Sequence, residues 1–169
     1  MNAKRESEPP AMKNRTTVER SERGVVITRT INGPARIVWE AWTKPELFQR
    51  WWVPKSLGAT LRSCEQDVRV GGKYRLVFEG SPPAAFFGTY LEVVPSARLV
   101  WTNEESGDAG SVTTVTFEEK GGKTHLVIRD LYPSKEAFEA AGGAENGMGE
   151  SLDQLEEFLL TLAPSVGRS

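Results

Sequence analysis

The chain has 169 residues, 38% of them hydrophobic and 26% charged, with a formal net charge of -2 and a pI near 5.6. That length holds one domain with a real core, and the charge balance leaves no basic footprint for nucleic acid and no polybasic patch for anionic lipid. The longest apolar runs are a few residues, which excludes a membrane-spanning helix, and Cys64 is the single cysteine, so no internal disulfide can form and a reducing cytoplasm is the expected compartment.

Residues 1–22 are polar and charged, include Pro9 and Pro10, and are expected to form a disordered tail. The first ten lack the apolar stretch of a signal peptide. A folded domain is expected over 23–163, with 164–169 as a second tail. Residues 24–31 are rich in β-branched side chains and predict a strand. Asn32-Gly33-Pro34 then signals a helix start, with Asn as cap and Pro in the first turn. Val38, Ala41 and Trp42 recur at helical spacing, which predicts a short amphipathic helix over 35–43. Thr43-Lys44-Pro45-Glu46 has the form of a capping box for a second short helix, with Leu47, Phe48 and Trp51 as its buried stripe and Pro54 as its stop.

The middle is strand-rich. Strands are expected within 58–68, 73–78, 85–94, 98–102, 111–118 and 124–131, separated by Gly71-Gly72, Ser81-Pro82-Pro83, Pro95 and Gly121-Gly122. Such spacing argues for a meandering antiparallel sheet. Ser134 is placed to cap a helical stretch, which glycines at 142, 143, 147 and 149 interrupt. Met148, Leu152, Leu155, Leu159 and Leu162 then form one apolar helical stripe, with Glu150, Asp153, Gln154, Glu156 and Glu157 on the outer face. Helices segregated from an antiparallel sheet define an α+β fold.

Four of the five tryptophans fall between Trp39 and Trp52. Indoles this dense form either a hub of the core or the wall of a cavity. On the sheet, Tyr74, Leu76, Phe78, Phe86 or Phe87, Tyr90, Trp101 and Val127 are the candidates to face the helix, subject to strand register. Arg62, Glu65, Arg75, His125, Arg129 and Asp130 are the polar candidates for the same side. Gly121-Gly122-Lys123-Thr124 resembles the end of a phosphate loop, but Phe117 stands where its first glycine belongs and a strand follows instead of a helix. His125 stands alone and Cys64 has no activating partner, so no catalytic triad is visible and no catalytic residue is assigned. One Cys and one His nearly exclude a zinc site of the N/S type, and no metal or cofactor is expected.

The order of elements carries a resemblance, on the stretches Arg29-Thr30-Ile31-Asn32-Gly33-Pro34, Val38-Trp39-Glu40-Ala41-Trp42-Thr43, Arg50-Trp51-Trp52, Asp67-Val68-Arg69-Val70-Gly71-Gly72, Gly88-Thr89-Tyr90, Arg98-Leu99-Val100-Trp101 and Gly147-Met148-Gly149-Glu150-Ser151-Leu152-Asp153-Gln154-Leu155. Together they resemble the START-like (SRPBCC, helix-grip) superfamily, and within it the family named for the activator of heat-shock protein 90 ATPase, in its short bacterial single-domain form. The resemblance implies a curved antiparallel sheet wrapped around a long C-terminal helix, two short helices after the first strand, and a cavity between sheet and helix. Ile31 and Met148 stand where many relatives carry Phe and Trp, so ligand identity does not carry over. On this basis Trp39, Trp42, Trp51, Trp52, Tyr74, Leu76, Phe78, Tyr90, Trp101, Met148 and Leu152 are the expected ligand-binding residues. A binding module for a small hydrophobic or amphipathic molecule is favoured over an enzyme of the cyclase or isomerase sort. The family name adds a chaperone or stress-response partner as a third reading. A homodimer is left open.

Overall fold

A computed structural model describes residues 16–105, 107, 110–142 and 147–166. Its strands are β1 (Thr17–Arg20), β2 (Gly24–Asn32), β3 (Leu61–Gln66), β4 (Lys73–Phe78), β5 (Ala84–Val94), β6 (Arg98–Thr102), β7 (Val112–Lys120) and β8 (Lys123–Leu131). Its helices are α1 (Ala35–Thr43), α2 (Pro45–Phe48), α3 (Lys135–Ala140) and α4 (Met148–Val166). The strands form one antiparallel sheet in the order β1-β2-β8-β7-β6-β5-β4-β3. Irregular pairing between Leu61 and Ser63, and between Tyr90 and Glu92, breaks the ladder where the sheet curves.

Strand alternation decides what the sheet offers to the helix. Val25, Ile27, Arg29 and Ile31 of β2 are buried, as are Thr113, Val115 and Phe117 of β7 and Thr124, Leu126 and Ile128 of β8. Val127 therefore lies on the opposite face from the one the sequence suggested, because the register of β8 is one residue away. On β5 the same parity selects Phe86 rather than Phe87, with Gly88 and Tyr90 on its side. Gly88 is a point of close approach: a Cβ there would lie 1.8 Å from the Thr102 carbonyl oxygen and 2.8 Å from the Tyr74 ring.

The helix ends are closed by side chains from elsewhere. The Ala35 N–H donates to Glu119 (2.9 Å), while Asn32 is the last residue of β2 and does not cap α1. At the other end, Gln66 Nε2 donates to the Trp42 carbonyl (3.0 Å) and Trp51 Nε1 to the Ala41 carbonyl (3.0 Å). Both carbonyls lie in the last turn, which has no intrahelical donors to offer them. The capping box at 43–46 does not form. Thr43 turns its hydroxyl back to the Trp39 carbonyl (2.8 Å), and Lys44 is the N-cap of a four-residue α2. Ser134 caps α3 as expected, accepting from the Ala137 N–H (3.0 Å).

Helix α4 closes the fold. Leu152, Leu155, Phe158 and Leu159 are buried against the core. The polar residues assigned to its outer face are, in part, its tethers. Gln154 donates to the carbonyls of Trp51 (2.8 Å) and Val53 (2.9 Å) and accepts from the Lys55 N–H (2.8 Å). Glu150 accepts from the Ser56 hydroxyl (2.5 Å) and from the Ser56 N–H (3.0 Å), and these two bonds hold its carboxyl below the usual range. Ser151 lies 2.7 Å from the Trp52 carbonyl. On the sheet side, Arg29 bonds Asp153 and Glu156, each at 2.6 Å.

Residues 1–15, most of the expected N-terminal tail, lie outside the described residues, as do 167–169 of the C-terminal one. The end of the N-terminal tail needs correction, because Thr17–Arg20 pair with Val25–Thr28 as β1. All four β1 residues are exposed. An edge strand whose residues are all exposed shows no apolar alternation to read. Likewise 164–166 continue α4.

Candidate functional site

A cavity of about 830 Å³ lies between the sheet, the start of α4, α3 and the loop after α2. Its size is within the range of small-molecule sites. Tyr74, Leu76 and Phe78 of β4 form one wall with Phe86 and Tyr90 of β5 and Trp101 of β6. Trp42, Phe48, Trp52, Val53 and Pro54 form the facing wall, and Met148 and Ser151 contribute from α4. The aromatic rings brace one another. Tyr74 and Tyr90 lie 5.9 Å apart, Phe78 and Phe86 5.6 Å, and Trp42 and Trp52 5.7 Å. Tilted and edge-on pairs of this kind fix side-chain positions beyond what burial alone does.

Eight of the eleven expected ligand-binding residues line this space: Trp42, Trp52, Tyr74, Leu76, Phe78, Tyr90, Trp101 and Met148. The cavity lining does not include Trp39, Trp51 or Leu152. Trp39 packs edge-on to Phe117 at 5.3 Å. Trp51 and Leu152 are fully buried in the core. Of the polar candidates only Asp130 reaches the cavity. Arg62, Glu65, Arg75, His125 and Arg129 are exposed, and Arg75 lies over the Phe87 ring, 5.9 Å from its centroid.

The sequence reading missed the polar end of the cavity. Asn103, just beyond β6, accepts from Trp101 Nε1 (3.3 Å) and donates to Ser111 Oγ and Thr113 Oγ1, both at 2.9 Å. The Tyr74 hydroxyl lies 2.9 Å from Asn103 Oδ1. Thr113 in turn bonds Asp130. No motif marks Asn103, whose position depends on the β6–β7 pairing. Gln66 was also missed, although a polar residue at the inward parity of β3, beside half-buried Cys64, is a usable signal.

Burial, then the Glu105 carboxylate, pushes the Tyr74 phenol well above its usual range. Burial dominates at Tyr90 too and outweighs the lowering effect of its bond from Gln66. Both phenols stay protonated at physiological pH and act as hydrogen-bonding groups, not as bases. Glu105 and Asp130 are the ionisable carboxyls among the described lining residues, which include no Lys, Arg or His. No group of His, Cys, Asp and Glu among the described residues could hold a metal ion.

Cys64 is held inert. Burial first, then the Glu46 and Glu65 carboxylates, push its thiol from 9.0 up to about 11. Only the thiolate alkylates, so at pH 8 the folded protein should react with iodoacetamide about 100-fold more slowly than the urea-unfolded chain. Equal rates would show that Cys64 is open to solvent. The raised value also has a sign for stability. Cys64 favours the folded state below pH 9, and this contribution is lost as pH rises from 9.0 to about 11.

A curved antiparallel sheet closed by one long helix over an aromatic-walled space is the helix-grip, START-like architecture. The family model for activator of Hsp90 ATPase homolog 1-like protein matches residues 32–159, and the chain belongs to that family. Among solved structures, a Nitrosomonas europaea protein is similar with 23% identity, covering 86% of this chain and 99% of that one, at a TM-score of 0.76. A Rhodobacter sphaeroides protein has 21% identity, coverage of 88% and 99%, and a TM-score of 0.78. A Chromobacterium violaceum protein has 27% identity, coverage of 81% and 96%, and a TM-score of 0.68. No curated protein matches the chain significantly. No helix among the described residues is long and apolar enough to cross a membrane.

Proposed function

We propose that this chain binds a small hydrophobic or amphipathic molecule in the cavity beneath α4. One observation carries the reading: an 830 Å³ space walled by aromatic side chains, with its polar groups gathered at particular points instead of spread over the walls. A solid core of this size would leave no such space, since interiors pack to the density of organic crystals. Apolar walls supply affinity and a few placed polar atoms supply orientation.

The test is a titration with the neutral naphthylamine dye 1-NPN, alongside native mass spectrometry of the purified protein. Saturable dye binding in the micromolar range is expected. Met148→Trp fills part of the cavity and should weaken the dye about tenfold or more, equivalent to at least ~1.4 kcal/mol. Trp39→Phe, outside the lining, should leave dye affinity unchanged. Absence of saturable binding would overturn the reading.

Asp130, beside Thr113 at the polar end, is the observation that favours an isomerase or cyclase as the alternative. Of the five groups that chemistry on an enolate would draw on, Tyr74 and Tyr90 meet in the cavity, 5.9 Å apart, whereas Arg75, His125 and Arg129 are exposed; burial keeps both phenols protonated, so they can donate to an enolate but supply no base. A chaperone partner rests on the family description, and stimulation of Hsp90 ATPase by the purified protein would test it. A cytoplasmic location and a homodimer belong with these proposals.

A further inference from the structure

Hydrogen bonding at the polar end of the cavity has a fixed direction. Trp101 Nε1 is a donor only and lies 3.3 Å from Asn103 Oδ1, while the Ser111 carbonyl is an acceptor only and lies 3.2 Å from Asn103 Nδ2. Together they settle the orientation of the carboxamide. Tyr74 therefore donates, and its one proton lies between Asn103 Oδ1 (2.9 Å) and the Thr102 carbonyl (3.0 Å). Thr113 Oγ1 accepts from Asn103 Nδ2 (2.9 Å) and donates onward to the Asp130 carboxylate. Ser111 Oγ accepts from the same nitrogen (2.9 Å), and its proton is the one this network does not assign. What is left for a ligand is mainly acceptor capacity, and the charge has the matching sign. Glu105, which is exposed, and Asp130, which is half-buried, are the charged groups among the described lining residues. Both belong to this end. Asp130 is linked to Tyr74 through Thr113 and Asn103. Glu105 accepts from the Phe87 N–H (3.3 Å), one residue from Gly88, which pairs with Tyr74. Burial raises the Tyr74 phenol first, Glu105 next and Asp130 in smaller part, so both carboxylates act on the same oxygen.

We propose that the cavity takes an amphiphile with a protonated amine head group, its N–H hydrogens at the Glu105 and Asp130 end and its apolar body between Trp52, Phe78, Phe86 and Trp101. The inference rests on the cavity being a ligand site and names the ligand class. A protonated amine is positive and donor-only, which complements an end that is negative and accepts. Both carboxyls keep accessible surface in the ligand-free protein, so no wall has to open for the head group to approach them. The aromatic walls suit a cation as well, because ring faces attract positive charge. A carboxylate head group would meet like charge and further acceptors, with no cation among the described lining residues to offset its lost hydration. A hydroxyl could donate one bond but would leave the charge unanswered. A bare metal ion fits less well, since no group of His, Cys, Asp and Glu among the described residues could hold one.

The experiment measures displacement of 1-NPN at pH 7 by decylamine, decyltrimethylammonium, 1-decanol and decanoate. Decylamine should bind about tenfold more tightly than decanol, and decanoate more weakly than either. Decyltrimethylammonium carries the charge without an N–H and should bind roughly threefold or more below decylamine. Raising the salt from about 50 to about 500 mM should narrow the gap between decylamine and decanol. The double variant Glu105→Gln with Asp130→Asn should abolish the preference for decylamine over decanol. That preference is a ratio of two ligands on one protein, so it stays readable if the variant is less stable, and the wild-type ligand series needs no variant at all. If 1-NPN binds but decylamine displaces it no better than decanol, decanoate or the quaternary amine, the amine site is wrong and the cavity remains a ligand site. The same holds if the double variant keeps the preference. If 1-NPN does not bind at all, both readings fail.

Discussion

Trp51→Ala is expected to destabilise the protein by about 4 kcal/mol in urea unfolding followed by far-ultraviolet circular dichroism. Trp51 is fully buried and touches three other aromatic residues, with ring centroids 4.9 Å from Trp42, 5.4 Å from Phe48 and 5.5 Å from Trp52. Truncation removes the indole's apolar surface and leaves a void that three large rings cannot easily fill. It also removes the donor to the Ala41 carbonyl (3.0 Å), which lies in the last turn of α1. Trp51→Phe separates these effects. It keeps most of the apolar volume and should cost about 1–2 kcal/mol, from the lost hydrogen bond and a smaller void. A loss below ~1.5 kcal/mol for the alanine variant would mean that α1 and α2 do not depend on this residue for their placement.

Arg29→Met should be nearly as damaging, about 3 kcal/mol, for an electrostatic reason. The Arg29 side chain is 5% exposed and bonds Glu156, 14% exposed, and Asp153, 64% exposed. Its Nη1 also donates to Thr16 Oγ1 (3.0 Å), while Nε has no partner among the described residues. Such an arrangement contributes little net stability, since desolvation offsets much of the attraction. Removing one partner is costly because the Glu156 carboxylate stays largely enclosed after losing the guanidinium. The pair Arg29→Met with Glu156→Met should therefore recover most of the loss, although the bond from the Asn32 N–H to Glu156 (2.9 Å) goes with it. Asp153→Asn should cost under ~1 kcal/mol, as befits a solvated partner. A double variant no more stable than Arg29→Met alone would contradict this account.

Arg29 also shows where sequence reasoning stops. It occupies the inward parity of a strand whose other inward residues are Val25, Ile27 and Ile31, and its carboxylate partners lie more than 120 positions away. Neither fact can be combined without knowing that α4 crosses β2. Features set by local physics were legible. The apolar spacing of residues 35–43 locates α1 at its observed bounds, and the alternation of residues 73–78 locates β4. Where two local options compete, the reading fails: Thr43 can cap forward or bond backward, and the chain chooses the latter. The aromatic content of the site was evident in the sequence. Its division between cavity wall and solid core was not, because Trp51 and Trp52 are adjacent in sequence and share Trp42 and Phe48 as ring neighbours, yet Trp51 is fully buried and Trp52 lines the cavity.

The joining of β2 to both β8 and α4 has a consequence for how the protein is made. Strand β2 emerges early, yet Gly24 pairs with Leu131 and Arg29 reaches Glu156 across 127 positions. Contacts this distant in the chain slow the search for the native state. The nascent chain must carry the indole-rich segment, unclosed, until the last helix clears the ribosome. Over that interval its exposed rings are the surface most prone to aggregation.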